Sequence, residues 1–536
     1  MPKASSSRDS GGGGNIPNEQ RILEDNDSPV ADTATAIELN QILQLCVETG
    51  TYALKLGEIF STTDDKPILD FHKPGANLVN SSVDGDSIYR IASTSKVITV
   101  YLLLLQAGDQ IFGDLVTKFL PELAGHDHWD EITVGSLADY TANIVSDIFD
   151  INLISGGDLN ALFPDAFPRL TPNETSPCAY GKSGCTRDIF ISELLNRTQV
   201  YLPGTTPAYS NAAFATLGLI LESATGMPYA EAMEQLLSKP LSLQSTFASA
   251  PTVSSRAVLV GSEEASGWNT IISDAGIGMG ALYSTPNELS TIGRSILSST
   301  LLPSNTTRTW LRPTTHTSSL IGAVGHAWEI FRAQIGDPEN NRVVDLYTKG
   351  GNFGAYGANM VLIPDFDVGF VVLMAGARGG VPYAMSGIIV DELLPALEET
   401  ARRDADAKFS GTYRATGSNS TLTLSSTQGI PGLSIDTLVL NSTDLRNNLY
   451  GSPENFQMYP TNVMRDGGGI SWRSSFVSTP DTGAFSACPS WGAVDRPQYG
   501  RFGIDEFAFY EGKDDRAERV VFWAMGAEMV RVGGGD

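Results

Sequence analysis

No stretch of the 536-residue sequence reaches the roughly 18–20 consecutive apolar residues that a membrane-spanning helix needs. The longest candidate, VITVYLLLL at 97–105, stops at Gln106 and reads as a core helix. Basic residues are scarce as well: 35 Lys and Arg stand against 61 Asp and Glu, for a formal net charge of −26. With no basic stripe to neutralise phosphates, a nucleic-acid partner is excluded. The sequence holds only five histidines (His72, His126, His128, His316 and His326), none in an HExxH motif. His126 and His128, in GHDHW, read as a solvated loop pair, and the four cysteines lack zinc-site spacing, so neither a metal nor another cofactor is expected. No GxSxG elbow occurs, which argues against an α/β-hydrolase triad.

What the sequence does have points two ways on compartment. Cys178 and Cys185 flank a loop, CAYGKSGC, short enough for a disulfide to close; Cys46–Cys488 follows only if that local pair forms. Seven Asn-x-Ser/Thr sequons, at Asn26, Asn80, Asn173, Asn196, Asn305, Asn419 and Asn441, leave secretion open. The first residues, MPKASSSRDSGGGGNIPNEQ, carry no apolar core of a signal peptide. Residues 1–30 read as a disordered leader.

Hydrophobic periodicity gives the organisation. A helix is predicted over 35–47, strands over 51–60 and 67–72, and a mostly helical, Pro- and Gly-punctuated middle from 110 to about 245. SNAAFATLGLILESATG (210–226) is an amphipathic helix with Gly226 as its stop. NMVLIPDFDVGFVVLMAG (359–376) is a hairpin, two apolar runs around Pro364-Asp365-Phe366-Asp367. Residues 383–408 are helical with a charged end read as a linker at 401–408, and from 409 to 536 short alternating runs predict a separate β-rich domain. Residues 31–400 therefore form an α+β domain: one antiparallel sheet assembled from distant segments, plus a helical insertion.

Chemistry concentrates in three places. In YRIASTSK (89–96), Ser93 and Lys96 sit three apart, on one face of a helix. A serine hydroxyl needs an adjacent base, and a lysine serves when burial or neighbouring cations lower its pKa. Of eleven lysines, only Lys96 has serine three positions before it. The plain alternative makes Ser93 a helix cap and Lys96 a surface charge. Tyr209-Ser210-Asn211 precedes the 210–226 helix; Tyr209 is a candidate proton carrier and Asn211 a candidate substrate amide, or Ser210 or Asn211 simply caps the helix. Lys349-Gly350-Gly351 leads into the hairpin, a cation beside glycines that let a substrate backbone approach closely.

The ordered set SxxK, YxN and KxG resembles the serine β-lactamase and penicillin-binding-protein superfamily over about residues 31–400, most of all class C β-lactamase-like fungal proteins and family VIII carboxylesterases. VTKFLPEL (116–123), ITVGSL (132–137) and GMGALYSTPNEL (278–289) extend the resemblance, and the tail from 409 is similar to the C-terminal β-domain of fungal members. The resemblance implies a β-lactamase/transpeptidase-like sheet flanked by helices with a helical subdomain. It implies Ser93 as acylated nucleophile, Lys96 as its proton partner and Tyr209 as general base and acid. Asn211 would orient the substrate, Lys349 with Gly350 and Gly351 would anchor it, and the Ser93 and Asn352 backbone N–H groups would form the oxyanion hole. The expected partner is a small-molecule ester or amide. Two departures stand out: Gly350 lacks the hydroxyl of the family's KTG, and Tyr140-Thr141-Ala142-Asn143 replaces the HTSG of many relatives. An acyltransferase of fungal secondary metabolism, suggested by the missing signal peptide, and a non-catalytic binding protein, suggested by the two departures, are the alternatives.

Overall fold

The two apolar runs of 359–376 become the centre of a sheet. In the computed structural model, which describes residues 56–533 apart from short internal stretches (the longest 149–160, 179–183, 337–341 and 476–491), they form β9 (Tyr356–Ile363) and β10 (Val368–Ala375). The leader, the 35–47 helix, Cys46 and Cys488 lie outside the described residues. All eight residues of each strand are buried, which explains continuous rather than alternating hydrophobicity: both faces of the sheet are covered.

Around this hairpin the described sheet has eight strands in the order β2-β1-β10-β9-β8-β7-β6-β5. The others are β1 (Leu56–Ser61), β2 (Leu69–Asp70), β5 (Thr315–His316), β6 (Gly322–Val324), β7 (Glu329–Ile335) and β8 (Arg342–Phe353). Every neighbouring pair is antiparallel. Two short strands, β3 (Tyr89–Arg90) and β4 (Tyr283–Ser284), pair separately. On one face of the sheet, Val368, Phe370, Val372 and Met374 pack with Ile389, Leu393, Leu394 and Leu397 of the long helix Val381–Phe409. On the other, Val371, Leu373 and Ala375 join the main core, which includes helices Ser95–Ala107 and Asn211–Thr225. This is the α+β, β-lactamase/transpeptidase-like architecture that the sequence predicts, with the helical segments between β2 and β5 in sequence.

Helix Asn211–Thr225 begins and ends as its sequence dictates. Ser210 caps it, accepting from Ala213 N at 2.9 Å, and Gly226 closes it in the left-handed region at φ +69°. Its Gly218 lies against Gly278 of the short helix Ile277–Gly280, where a Cβ on Gly278 would meet the Phe214 carbonyl oxygen at 2.7 Å. Cys178 and Cys185 are disulfide-bonded, closing the short loop between them. No helix among the described residues is long and apolar enough to cross a membrane.

The chain divides into two compact units, one of Val30–Ala407 with Ser426–Gly432, the other chiefly of Lys408–Ser425 and Leu433–Asp536. The helix read over 383–408 is Val381–Phe409, and its charged end, read as a linker at 401–408, is the last part of that helix. Glu399 pairs with Arg402 and Arg403 at 2.8 Å each, the i,i+3 and i,i+4 spacing of a solvated helix face, so its charge is that of a helix surface. After it in sequence, the described residues form a nine-stranded sheet running from Gly411–Arg414 to Ala527–Arg531, in which Phe507, Phe509, Phe522 and Trp472 are buried.

Gly278→Ala is expected to lower the melting temperature through overpacking against backbone, costing about 1–3 kcal/mol. Gly387→Ala, in the exposed interior of helix Val381–Phe409 with nothing within 4 Å of its new methyl, is expected to hold or raise it. Thermal denaturation of the two variants beside the parent checks both.

Candidate active site

Ser93 is held from both sides by backbone. β3 pairs with β4 just before it, Ile91 N donates to Leu282 O at 3.0 Å, and Ser95 Oγ donates to Ala92 O at 2.6 Å while accepting from Leu282 N at 3.2 Å. Ala92 takes a left-handed φ of +45°, a strained turn that delivers the chain into the helix beginning at Ser95. Strand β8 fits tightly against this turn, because a Cβ on Gly351 would collide with Ile91 O and crowd the Ser93 and Thr94 backbone nitrogens. Ser93 itself is partly exposed between buried neighbours, and the helix has no side-chain cap bond at Thr94. Ser93 is therefore not a cap.

Lys96 is fully buried, and its amine has three partners. Nζ lies 2.8 Å from Asn211 Oδ1, 2.5 Å from Met279 O and 3.0 Å from Ser93 Oγ. The two carbonyl oxygens can only accept, so they take two N–H bonds, and the remaining tetrahedral position faces Ser93. In the neutral amine that position is the lone pair. Burial drives the Lys96 pKa down, Tyr209 opposes this, and the Lys349 charge adds to it; the net direction is downward. The Met279 carbonyl reaches Lys96 because Gly218 and Gly278 let the two helices touch, and Thr99, one turn along from Lys96, donates to Gly278 O at 2.7 Å.

Tyr209 completes the contacts on Ser93, its hydroxyl 2.8 Å from Oγ. Its ring stacks on Tyr140 at a centroid distance of 5.5 Å, and the Lys96 and Lys349 ammonium nitrogens lie 5.0 and 5.2 Å from its centroid. Burial alone would push this phenol up; the two lysine charges outweigh it and hold the Tyr209 pKa below the ordinary tyrosine value. Asn211 is oriented from behind: its Nδ2 donates to Asp147 at 2.9 Å, which turns Oδ1 towards Lys96. Tyr140, at φ +67°, opens the Tyr140–Asn143 segment, which is laced to the loop before Tyr209 by Val200 N to Asn143 O, Gly204 N to Thr141 O and Ala208 N to Tyr140 O, at 2.8–2.9 Å. That departure from HTSG thus supplies the aromatic wall behind Tyr209.

On β8, Lys349 is buried and paired with Glu329 at 2.7 Å. Its ammonium also donates to Gly350 O at 2.7 Å, and Thr94 Oγ1 donates to the Lys349 carbonyl at 3.1 Å. Burial would lower the Lys349 pKa, but Glu329 and Tyr209 overcome it and raise it; Glu329 is correspondingly held below its usual range despite burial. The space a Gly350 side chain would fill is taken by the Tyr383 phenol, which donates to Glu329 at 2.9 Å. Asn352 is exposed at the end of the same strand, one residue past Gly351.

Ser93, Lys96, Tyr209, Asn211 and the Lys349–Asn352 segment, 259 positions apart at the extremes by their numbering, thus converge on one cleft. Asp147, Glu329, Tyr383 and the Met279 carbonyl belong to the same cluster and were not singled out by sequence. Glu329 opens β7 opposite Thr348 of β8, and only that register brings it to Lys349. Among the described residues, no group of three or more His, Cys, Asp or Glu could hold a metal ion.

A lysine-paired serine in a tight turn, a phenol beside it and a lysine–glycine strand are thus assembled at one place. A family described as Beta-lactamase matches residues 62–389, and one described as Beta-lactamase-like-like, C-terminal domain, matches 401–533. The chain belongs to the beta-lactamase family. It is 32% identical to the "Beta-lactamase-like protein" of Arthroderma benhamiae over 63% of its own length and 57% of that protein's, so it spans little more than half of that relative. It is 26% identical to the "Probable hydrolase clz13" of Cochliobolus lunatus, over 87% of this chain and 82% of that one. It is 25% identical to the "D-alanyl-D-alanine-carboxypeptidase/endopeptidase AmpH" of Escherichia coli, over 54% and 71%. A solved structure, a beta-lactamase/D-alanine carboxypeptidase from Yersinia pestis, superposes with a TM-score of 0.49 at 19% identity, covering 69% of this chain and 99% of that one.

Alkaline difference absorbance of the parent minus Tyr209→Phe is expected to show one phenol ionising below the usual value of about 10. Lys96→Met removes one of the two cations, so the same phenol should then ionise at higher pH. An unchanged titration in that variant would contradict the electrostatics described.

Proposed function

We propose that the protein is a serine hydrolase that cleaves an ester or amide through an acyl-enzyme on Ser93. The observation that carries this reading is the convergence on Ser93 Oγ of Lys96 Nζ at 3.0 Å and the Tyr209 hydroxyl at 2.8 Å, with both pKa values displaced downward. With both groups shifted towards releasing their protons, either can take the Oγ proton as Oγ attacks the substrate carbonyl. The oxyanion that forms is stabilised by the Ser93 and Asn352 backbone N–H groups, with the N-terminal end of helix Ser95–Ala107 adding its positive field. Tyr209 returns the proton to the leaving group, and the acyl bond to Ser93 remains. Tyr209 then takes a proton from a water that attacks the acyl carbonyl, and Ser93 leaves as the free hydroxyl.

Asn211 keeps Lys96 on Ser93, and each of its polar atoms has a second hydrogen-bonding position that can serve substrate. Lys349 fixes the field around Tyr209, and Gly351 permits the close approach of β8 to the nucleophile. Relatives named as hydrolases and as a carboxypeptidase/endopeptidase agree with a hydrolytic outcome. An inert cleft would have no need of a buried lysine aimed at a partly exposed serine, which favours catalysis over simple binding.

Ser93→Ala is expected to lower kcat/KM on a short p-nitrophenyl ester by on the order of 10³-fold or more. A fluorophosphonate should add covalently to Ser93 in the parent, as read by mass spectrometry of the labelled peptide. Equal turnover in the two proteins, or no adduct at Ser93, refutes the assignment.

A further inference from the structure

The residues acting on Ser93 leave one charged group of the cleft unused. Glu329 is ionised and largely shielded, its side chain 22% exposed, and it makes three contacts there: Lys349 Nζ at 2.7 Å, Tyr383 hydroxyl at 2.9 Å and Gly350 N at 3.3 Å. A lysine at a substrate site is a ready partner for an anionic ligand when no protein carboxylate already holds it. Here the protein supplies the anion itself. Tyr383 fills the volume above Gly350 and donates its hydroxyl to the same carboxylate, so an incoming carboxylate finds neither the cation nor the space vacant.

We propose that Glu329 is a specificity-determining residue: with Tyr383 it occupies the Lys349 position and restricts the site to acyl donors that are uncharged there, namely neutral esters, lactones or amides. The inference rests on the Ser93 acyl-enzyme reading and deepens it by naming the substrate class.

Two further observations run the same way. A donor carboxylate brought to Lys349 would lie beside the Glu329 carboxylate, so like charges would meet. The loop bonded to Thr141 and Asn143, immediately before Tyr209, carries Val200, Tyr201 and Leu202 at 45, 54 and 61% exposure. These exposed side chains are apolar and uncharged, and the net charge of −26 disfavours anionic substrates from a distance. The plain competing explanation is that Glu329 serves only to compensate Lys349 for burial. In that case the charge of the substrate has no bearing on it.

The experiment compares two near-isosteric esters, p-nitrophenyl valerate and mono-p-nitrophenyl glutarate, which differ by a carboxylate in place of the terminal methyl. The parent is expected to favour the valerate in kcat/KM by about tenfold or more, as expected for a carboxylate brought beside a fixed like charge. Glu329→Gln should shrink or invert that ratio, chiefly by lowering KM for the glutarate. Equal kcat/KM for both esters in the parent overturns the proposal even if Glu329→Gln does not fold, and so does a folded variant with an unchanged ratio. A parent that turns over neither ester, or whose turnover survives Ser93→Ala, rejects the Ser93 reading and this inference with it. Turnover abolished by Ser93→Ala but indifferent to substrate charge rejects this inference alone.

Discussion

The arrangement of this cleft depends on one buried amine. Lys96 is inserted where water cannot reach it, and two carbonyl oxygens that can only accept fix the direction of its third position. Each of those carbonyls must itself be held. Asp147 turns the Asn211 amide, and the glycine contact between Gly218 and Gly278 brings the Met279 carbonyl within reach. Burial then removes the ammonium's hydration, and that desolvation is the largest influence lowering its pKa. A lysine at the same sequence spacing on a solvated helix would be an ordinary cation.

The second layer of control is the spacing of charge. Two lysines flank the Tyr209 ring at similar distances, yet one is pulled towards neutrality and the other is kept charged. Glu329 makes the difference, because it pairs with Lys349 directly, whereas Lys96 has carbonyl dipoles, a serine and Tyr209 around it but no carboxylate in contact among the described residues. Two lysines beside one ring are thus shifted in opposite directions by their immediate partners.

Much of this was legible in the sequence, and for definite reasons. The 359–376 hairpin declared itself because two continuous apolar runs around a turn admit few other structures, and Ser210 and Gly226 marked the ends of their helix chemically. Ser93, Lys96, Tyr209 and Lys349 were legible as residue types in a recognisable order. Their supporting partners were not. Glu329 meets Lys349 only through the β7–β8 register, in which it stands opposite Thr348, and Asp147 meets Asn211 across 64 positions. The glycine at 350 was visible as a departure, but its reason, the Tyr383 phenol in the space beside it, comes from a helix that packs on the sheet. The 383–408 helix was legible from its apolar spacing, and its charged end, read as a linker at 401–408, continues the solvated helix face on which Glu399 pairs with Arg402 and Arg403.

The Ser93–Lys96 pair is local in sequence, but its environment is not. Those two residues are three apart, but every group that conditions them is remote: Tyr209 lies 116 positions from Ser93, Asn211 lies 115 from Lys96, and the Met279 carbonyl lies 183 away. A chain with the helix formed but undocked would carry the pair at its final spacing with the lysine hydrated and charged. The hydroxyl would then have no proton acceptor. The electrostatic state of the pair is therefore a property of the closed core and not of the motif: the spacing is local, but the desolvation and the partners that set the lysine's pKa arrive only when remote segments have packed around it.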